Sequence, residues 1–263
     1  MQQKTRNHNM EKSMRLFKHI GLCSLMIALS TSAAHADMIG IYASVDNWQY
    51  TGDATLAQTG TTPEKFAFEK QNQANLAVSI EHPVPLIPNV RARYNKLQGA
   101  DTLNSIAFKF GDKVYAGDVN LDLQLDNTDL ILYYEILDNI VSVDVGIGAK
   151  RLNGQVTATG NSVLNTTSTV SFDETLPMVY ASVGGSLPFT GFSAKAEVMG
   201  IQYQDSSLTD AQAEIKYDFI DNLAIDLGIK AGYRQMTMTL KDVQNTDADT
   251  TFKGPYIGLE AHF

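Results

Sequence analysis

The sequence predicts an all-β protein, an antiparallel up-and-down transmembrane β-barrel of about ten strands, with eight or twelve as the alternatives. Three observations point there. Apolar and polar residues alternate with period two in ten successive segments, the pattern of strands whose two faces meet unlike surroundings. The links between segments alternate between short turns and long polar stretches. The chain also ends on such a segment, "GPYIGLEAHF", with Pro255, Ile257, Leu259, Ala261 and Phe263 on one parity. A chain terminus frays unless something ties it down, and a closed barrel would pair a terminal strand on both sides.

The start of the chain reads differently. Arg15, Lys18 and His19 precede an apolar run at 20–30, and Ala34-His35-Ala36 fits a small-residue cleavage site. Residues 1–36 therefore read as a secretory signal peptide cut after Ala36. The run has 11 residues, against the roughly 20 of a membrane-spanning helix. Residues 1–13 are polar and precede a second methionine, so translation starts at Met1 or Met14. Residues 37–263 are then the exported domain, a single barrel.

Removing the leader takes away Lys4, Arg6, Lys12, Arg15, Lys18 and Glu11 and leaves 15 bases against 28 acids, a net charge of −13. Such a surface excludes nucleic acid as a partner, because phosphate binding needs clustered Lys and Arg. The single cysteine, Cys23, lies within the leader, so the exported part has no disulfide, thiolate metal site or Cys nucleophile.

Taken in order, the segments alternate as follows. Ile39, Ile41, Ala43 and Val45 oppose Gly40, Tyr42, Ser44 and Asp46; Leu76, Val78 and Ile80 oppose Asn75, Ala77 and Ser79; Val90, Ala92 and Tyr94 oppose Arg91 and Arg93. Leu130, Leu132, Tyr134 and Ile136 oppose Asp129, Ile131, Tyr133 and Glu135, and Val141, Val143, Val145 and Ile147 oppose Ser142, Asp144, Gly146 and Gly148. Further segments fall near 177–187, 192–204, 208–219, 223–240 and 251–263, each about 9 to 13 residues long, the length of a tilted membrane-crossing strand.

Short links at 82–89, 138–139, 187–191 and 221–222 alternate with long polar stretches at 51–73, 99–117, 153–175 and 241–250, which predicts short turns at one end and long loops at the other. The link at 204–208 is short where a long one is expected. "YEILDNIVSVDVGI" (134–147) and "YDFIDNLAIDLGI" (217–229) are near-repeats, implying one domain built of similar hairpins. In "DVNLDLQLDNTDL" the apolar positions are odd up to Leu125 and even from Leu130, which predicts a bulge near Asn127 in one long strand. "LNSIAFKF" and "KVYAG" form either an outer hairpin or an extra strand pair.

Aromatics on the apolar parity gather near strand ends: Tyr134, Phe192, Tyr217, Phe219 and Phe263 toward the short turns, Tyr94 and Tyr233 farther along. These are the positions of an interfacial girdle, so the apolar parity points outward. With its leader, alternating strands and loops, and terminal Phe, the chain resembles the small outer-membrane β-barrel proteins of Gram-negative bacteria. The segments "YYEILDN" and "GPYIGLEAHF" resemble a group of such barrels from marine gamma-proteobacteria. The resemblance implies residence in the outer membrane among its lipid and lipopolysaccharide. It also implies that the C-terminal strand, through Phe263, is the signal read by the barrel-assembly machinery. It supplies no substrate.

The polar parity then lines the lumen with Arg91, Arg93, Lys150, Lys195, Lys216, Lys230 and Arg234 against Glu81, Glu135, Asp144, Glu197, Glu214, Asp218, Asp226 and Glu260. Seven cations and eight anions nearly cancel, and ten strands enclose a bore closer to a filled barrel than to an open porin. The expected result is a salt-bridged plug, or at most a narrow polar conduit for small solutes, in a monomer without cofactor. Asp118-Val119-Asn120-Leu121-Asp122 has the opening spacing of a calcium loop but continues with Leu123 and alternates as a strand, so no metal site is expected. Asp247 and Asp249 read as a solvated acidic outer loop. For catalysis the exported part offers His82 and His262, both at the short-turn end, with His262 expected to pair with Glu260; no hydrolase or zinc-helix motif is present, and no enzyme is expected. Two other classes compete: a periplasmic lipocalin-like ligand-binding barrel, and an outer-membrane enzyme.

Overall fold

The computed structural model describes residues 39–58, 63–110, 113–160, 166–222, 225–243 and 246–263; the leader expected at 1–36, with Cys23 and the expected cleavage after Ala36, lies outside them. Ten strands are present among the described residues: β1 (Gly40–Gln58), β2 (Glu64–Glu81), β3 (Asn89–Phe110), β4 (Lys113–Asp138), β5 (Val141–Gly160), β6 (Thr167–Ser186), β7 (Phe192–Tyr203), β8 (Ser206–Asp221), β9 (Asp226–Val243) and β10 (Thr246–His262). They close into an all-antiparallel barrel in chain order, with β1 between β2 and β10. Pairing continues to the last residue: the Ile41 amide donates to the Phe263 carbonyl (3.1 Å) and the Phe263 amide to the Ile41 carbonyl (3.0 Å).

The strands run from 12 to 26 residues; β7 has the expected length of 9 to 13, and the others exceed it. The polar stretches read as long loops are largely strand: β1 and β2 continue to Gln58 and Glu64, β3 and β4 to Phe110 and Lys113, and Asp247 and Asp249 belong to β10. "LNSIAFKF" and "KVYAG" extend the β3–β4 hairpin, with Phe110 opposite Lys113, and add no strand. We call the end that holds Gly40 and His262 the near end, and the opposite end the far end.

β4 shows why the loops were misread. It is one strand, as expected, but its ladder with β3 is regular from Leu103 to Asn89 and its ladder with β5 from Val119 to Glu135, so no bulge lies near Asn127. Odd residues face inward throughout: Val119, Leu121, Leu123, Leu125, Asn127, Asp129, Ile131 and Tyr133 are all buried. What changes at Asn127 is the surroundings of each face. Toward the near end the outward residues are apolar (Leu130, Leu132, Tyr134); toward the far end they are polar (Asp126, Gln124, Asp122) and the inward ones apolar.

The other strands switch at neighbouring positions. Outward residues pass from Tyr94 to Lys96 on β3, Ala149 to Arg151 on β5, Tyr233 to Gln235 on β9 and Pro255 to Lys253 on β10, while inward residues pass from Asn95 to Leu97, Lys150 to Leu152 and Arg234 to Met236. Register carries the switch around the wall, since Asn95 pairs with Asn127 and Asp129 with Lys150. The near half is thus a barrel with an apolar belt outside and a polar bore. The far half is a barrel with a polar outside and an apolar core.

That core holds Trp48, Tyr50, Phe66, Phe68, Leu97, Tyr115, Leu121, Met236 and Phe252. Phe68 stacks on Phe252 at 6.1 Å, and Tyr50 meets Phe252 edge-on at 5.7 Å. The β2–β3 ladder covers only Asn75–Ile80 against 90–95. Beyond it the Tyr50 hydroxyl accepts from the Gln98 amide (2.7 Å) and donates to the Gln98 carbonyl (3.1 Å), and Asp101 accepts from the Ala67 amide (2.9 Å). Burial pushes the Tyr50 phenol up to about 12, so it stays a neutral donor. Gly99 opposes this seam because a Cβ there would lie 2.5 Å from the Phe68 ring.

Candidate functional site

The inward positions of the near half form one continuous charged cluster. Alternation fixes its members, since each lies one residue from an outward apolar neighbour: Arg91 and Arg93 flank Ala92, Glu197 follows Ala196, and Lys230 follows Ile229. Its upper tier lies directly beneath the aromatic core. Arg93 donates through Nε to Asp129 (2.9 Å) and through Nη1 to Glu197, with Asp210 at 3.5 Å from Nη2. Arg91 Nη1 meets Glu197 at 2.7 Å. Lys150, wholly buried, holds Asp129 at 2.6 Å and Asp210 at 2.9 Å. Arg234 grips Asp210 with two parallel bonds, 2.9 and 2.7 Å, and lies 4.8 Å from the Trp48 ring, joining charge to aromatic core.

The lower tier is looser. Lys230 lies 3.2 Å from Asp46, 3.5 Å from Glu214 and 3.7 Å from Glu260; Lys216 reaches Asp218 and Glu260, each at 3.2 Å. Asp144 accepts from the Ser182 hydroxyl and has Lys195 at 3.7 Å. Asp226 bonds His262 (3.0 Å), which stacks on Tyr42 at 4.1 Å; Glu260 is therefore not its partner, because the lysines claim Glu260. Glu81 accepts from the Tyr133 hydroxyl (2.5 Å) and Glu135 from Asn89 Nδ2 (3.1 Å).

All fifteen charges that the sequence places in the lumen, Arg91, Arg93, Lys150, Lys195, Lys216, Lys230 and Arg234 with Glu81, Glu135, Asp144, Glu197, Glu214, Asp218, Asp226 and Glu260, stand on inward positions of this bore. Three anions central to it were missed: Asp46, Asp129 and Asp210. Asp46 and Asp129 sit on the polar parity and were legible there. Asp210 lies between Thr209 and Ala211, where small neighbours give little contrast between faces.

Below the lower tier the bore widens into a cavity of about 240 Å³ at the near end, lined by residues that include Glu81, Arg91, Tyr133, Glu135, Asp144, Lys195 and Lys216. Above the upper tier the aromatic core fills the interior. Among the described residues no group of three His, Cys, Asp or Glu side chains is arranged to hold a metal ion, and Asp118, Asn120 and Asp122 lie along strand β4. Far from the bore, the exposed Arg151 donates twice to Asp173, at 2.8 and 2.6 Å, and holds its carboxyl below the usual range.

No protein-family model matches the chain, and the comparison with curated proteins finds no match. Solved structures do match in fold. The outer membrane protease OmpT of Escherichia coli aligns over 89% of this chain and 99% of its own, with a TM-score of 0.53 at 9% identity. The translocator domain of the autotransporter NalP of Neisseria meningitidis aligns over 92% and 95% (TM-score 0.37, 15% identity), and Ail of Yersinia pestis over 86% and 100% (TM-score 0.35, 12% identity). The fold is that of the outer-membrane β-barrels.

Proposed function

We propose that the chain is an integral outer-membrane barrel of a Gram-negative cell with a sealed lumen, a structural element that carries a rigid β-extension outside the membrane. One observation carries the reading: the hydrophobic sense of the wall inverts at one level around the barrel. Ile147, Val179 and Ile215 are 65%, 67% and 61% exposed on the near half, and soluble proteins rarely expose contiguous apolar patches beyond a few hundred Å². The belt is four or five outward residues tall on most strands, which fits a tilted crossing of about 9–11 residues. A soluble lipocalin-like barrel needs the opposite sense along its whole length.

The seal has two parts, the salt-bridged tier of Arg93, Asp129, Lys150, Asp210 and Arg234 and the aromatic core above it. No catalytic role belongs to this proposal, and the likeness to a protease concerns the fold. His262 is taken up by Asp226, and His82 accepts from the Val84 amide. The near end faces the periplasm, Phe263 is read by the barrel-assembly machinery, and the barrel is a monomer in contact with lipid and lipopolysaccharide. The narrower likeness to gamma-proteobacterial barrels rests on "YYEILDN" and "GPYIGLEAHF" alone. Fractionation and planar-bilayer recording test the proposal together. The chain is expected to leave the membrane only in detergent and to show no steady conductance; release by osmotic shock overturns the location, and porin-sized currents overturn the seal.

A further inference from the structure

We infer that the near-end turns form an apolar collar that lies in the acyl region of the periplasmic leaflet, with glycerophospholipid as the partner of this surface; the inference rests on the membrane location proposed above. It starts from the irregular backbone of the turns. Leu86, between β2 and β3, and Phe189, between β6 and β7, have φ of 69° and 66°, a left-handed conformation that suits glycine and is unfavourable for a bulky side chain. Both side chains stand free of the protein, 91% and 108% exposed. The third such residue among the described residues, Gln204 in the β7–β8 turn, is polar, and that turn points to the far end.

The other two near-end hairpins present apolar side chains by means of a bulge. The β4–β5 register shifts between Glu135 and Leu137, and the β8–β9 register between Asp218 and Ile220. Strict alternation would send Leu137 and Ile220 into the bore. The extra residue instead sets them opposite Val143 and Leu227, on the outward face, beside Ile136 and Phe219. All four are exposed. The near-repeat in the sequence thereby gains a physical meaning. YEILDN (134–139) and YDFIDN (217–222) are each an outward Tyr, an inward acid, two apolar residues turned outward by a bulge, and a polar tip.

Two observations select lipid over a protein as the partner. The collar continues the belt without an outward charge between them, through Leu132, Tyr134, Ile136 and Leu137 on β4. The Tyr134 hydroxyl also donates to the Leu86 carbonyl (2.9 Å), which holds the β2–β3 turn at the level of the aromatic girdle. A rim that docks a periplasmic protein would be set off from the belt by polar residues at the headgroups. The belt is, moreover, too short by itself. Its outward residues on β5 run from Val141 to Ala149. At about 3.3 Å per residue and a tilt of about 40°, that stretch covers about 20 Å of the roughly 25 Å apolar band of such barrels. The collar supplies the difference, and Asp138-Asn139 and Asp221-Asn222 reach the headgroups.

Tryptophan fluorescence tests the collar in the full barrel reconstituted in phosphatidylcholine vesicles. Trp48, the one tryptophan of the sequence, is buried in the far core and gives a constant background. Single tryptophans are placed in the collar (Leu86→Trp, Phe189→Trp, Leu137→Trp, Ile220→Trp), in the belt (Val145→Trp) and on the polar outside of the far half (Asn153→Trp). The heat-modifiable gel shift checks that each variant is folded, and the four collar positions read the same surface independently. Phosphatidylcholine brominated on its acyl chains is expected to quench the added emission at least twofold at the collar positions and at Val145→Trp, and acrylamide in the water to quench Asn153→Trp alone. Collar positions that acrylamide reaches and bromolipid spares, beside a quenched Val145→Trp, overturn the collar, leave the membrane location standing and give the rim to a periplasmic protein. Quenching by bromolipid at Leu137→Trp and Ile220→Trp alone overturns the part assigned to Leu86 and Phe189. A Val145→Trp that bromolipid spares overturns the membrane location and the collar with it.

Discussion

Replacing Asp210 by Asn tests whether the upper tier holds the barrel together. Asp210 is 1% exposed and receives two bonds from Arg234, one from Lys150 and a longer contact from Arg93. Asn keeps the shape and one acceptor but removes the charge, so the surrounding Arg91, Arg93, Lys150 and Arg234 face only Asp129 and Glu197. Breaking a buried pair from one side costs about 3–5 kcal/mol, because the remaining charges stay desolvated. With a urea slope of about 1–3 kcal/mol/M, the midpoint of unfolding from detergent or lipid falls by about 1–5 M. Adding Lys150→Met removes one surplus cation and is expected to restore part of the loss, a coupling that a double-mutant cycle reads directly. Arg151→Ala, which breaks an exposed pair of similar geometry, is expected to leave the midpoint within error. If Asp210→Asn unfolds like wild type, the tier is not structural and the reasoning fails.

Four further outcomes follow from the same geometry. Val143→Arg or Leu227→Arg, on the outward face, is expected to impair assembly by about 2–4 kcal/mol, whereas Asp144→Asn, one position from Val143, leaves the heat-modifiable band intact; the reverse pattern inverts the in-out assignment. Deleting Phe263 is expected to leave unassembled chain in the periplasm, and normal assembly removes its role as a signal. Tyr50→Phe strips the Gln98 amide of its acceptor and is expected to cost about 1–3 kcal/mol, read as a lower unfolding midpoint. Neutralising Arg91 and Arg93 together is expected to destabilise the barrel without opening it, since the aromatic core still fills the bore; a new cation current would show that charge alone makes the seal.

Most of the near half was legible in the sequence because apolar residues outside and charged residues inside give strong contrast. Val141, Val143, Val145 and Ile147 against Ser142, Asp144, Gly146 and Gly148 admit one reading of β5. The far half was hidden by the same rule applied too far. Leu121, Leu123 and Leu125 on the opposite parity from Leu130 and Leu132 look like a register error if the apolar face must always be the outer one. The faces never exchanged; the polarity of each did, at Asn127. Polar runs such as "NGQVTATG" in β5 then read as loops, because their inward Val156 and Ala158 alternate with threonines that carry little contrast. Ion-pair partners were less legible, since Lys150 and Asp210 are 60 residues apart and meet only across the bore.

The level at which the wall changes sense is the feature to measure. Residues 37–263 contain no cysteine, so single spin-labelled cysteines can replace Asp122, Gln124, Asp126, Thr128, Leu130, Leu132 and Tyr134, the outward face of β4, in that barrel reconstituted in lipid. Collision with oxygen, which concentrates in hydrocarbon, is expected to dominate at 130, 132 and 134, and collision with a water-soluble nickel chelate at 122, 124 and 126, with the crossover at 128. Nickel access along the whole series would mean that no part of β4 faces lipid, and oxygen access extending to 122 would mean that the membrane does not end where the hydrophobic sense inverts.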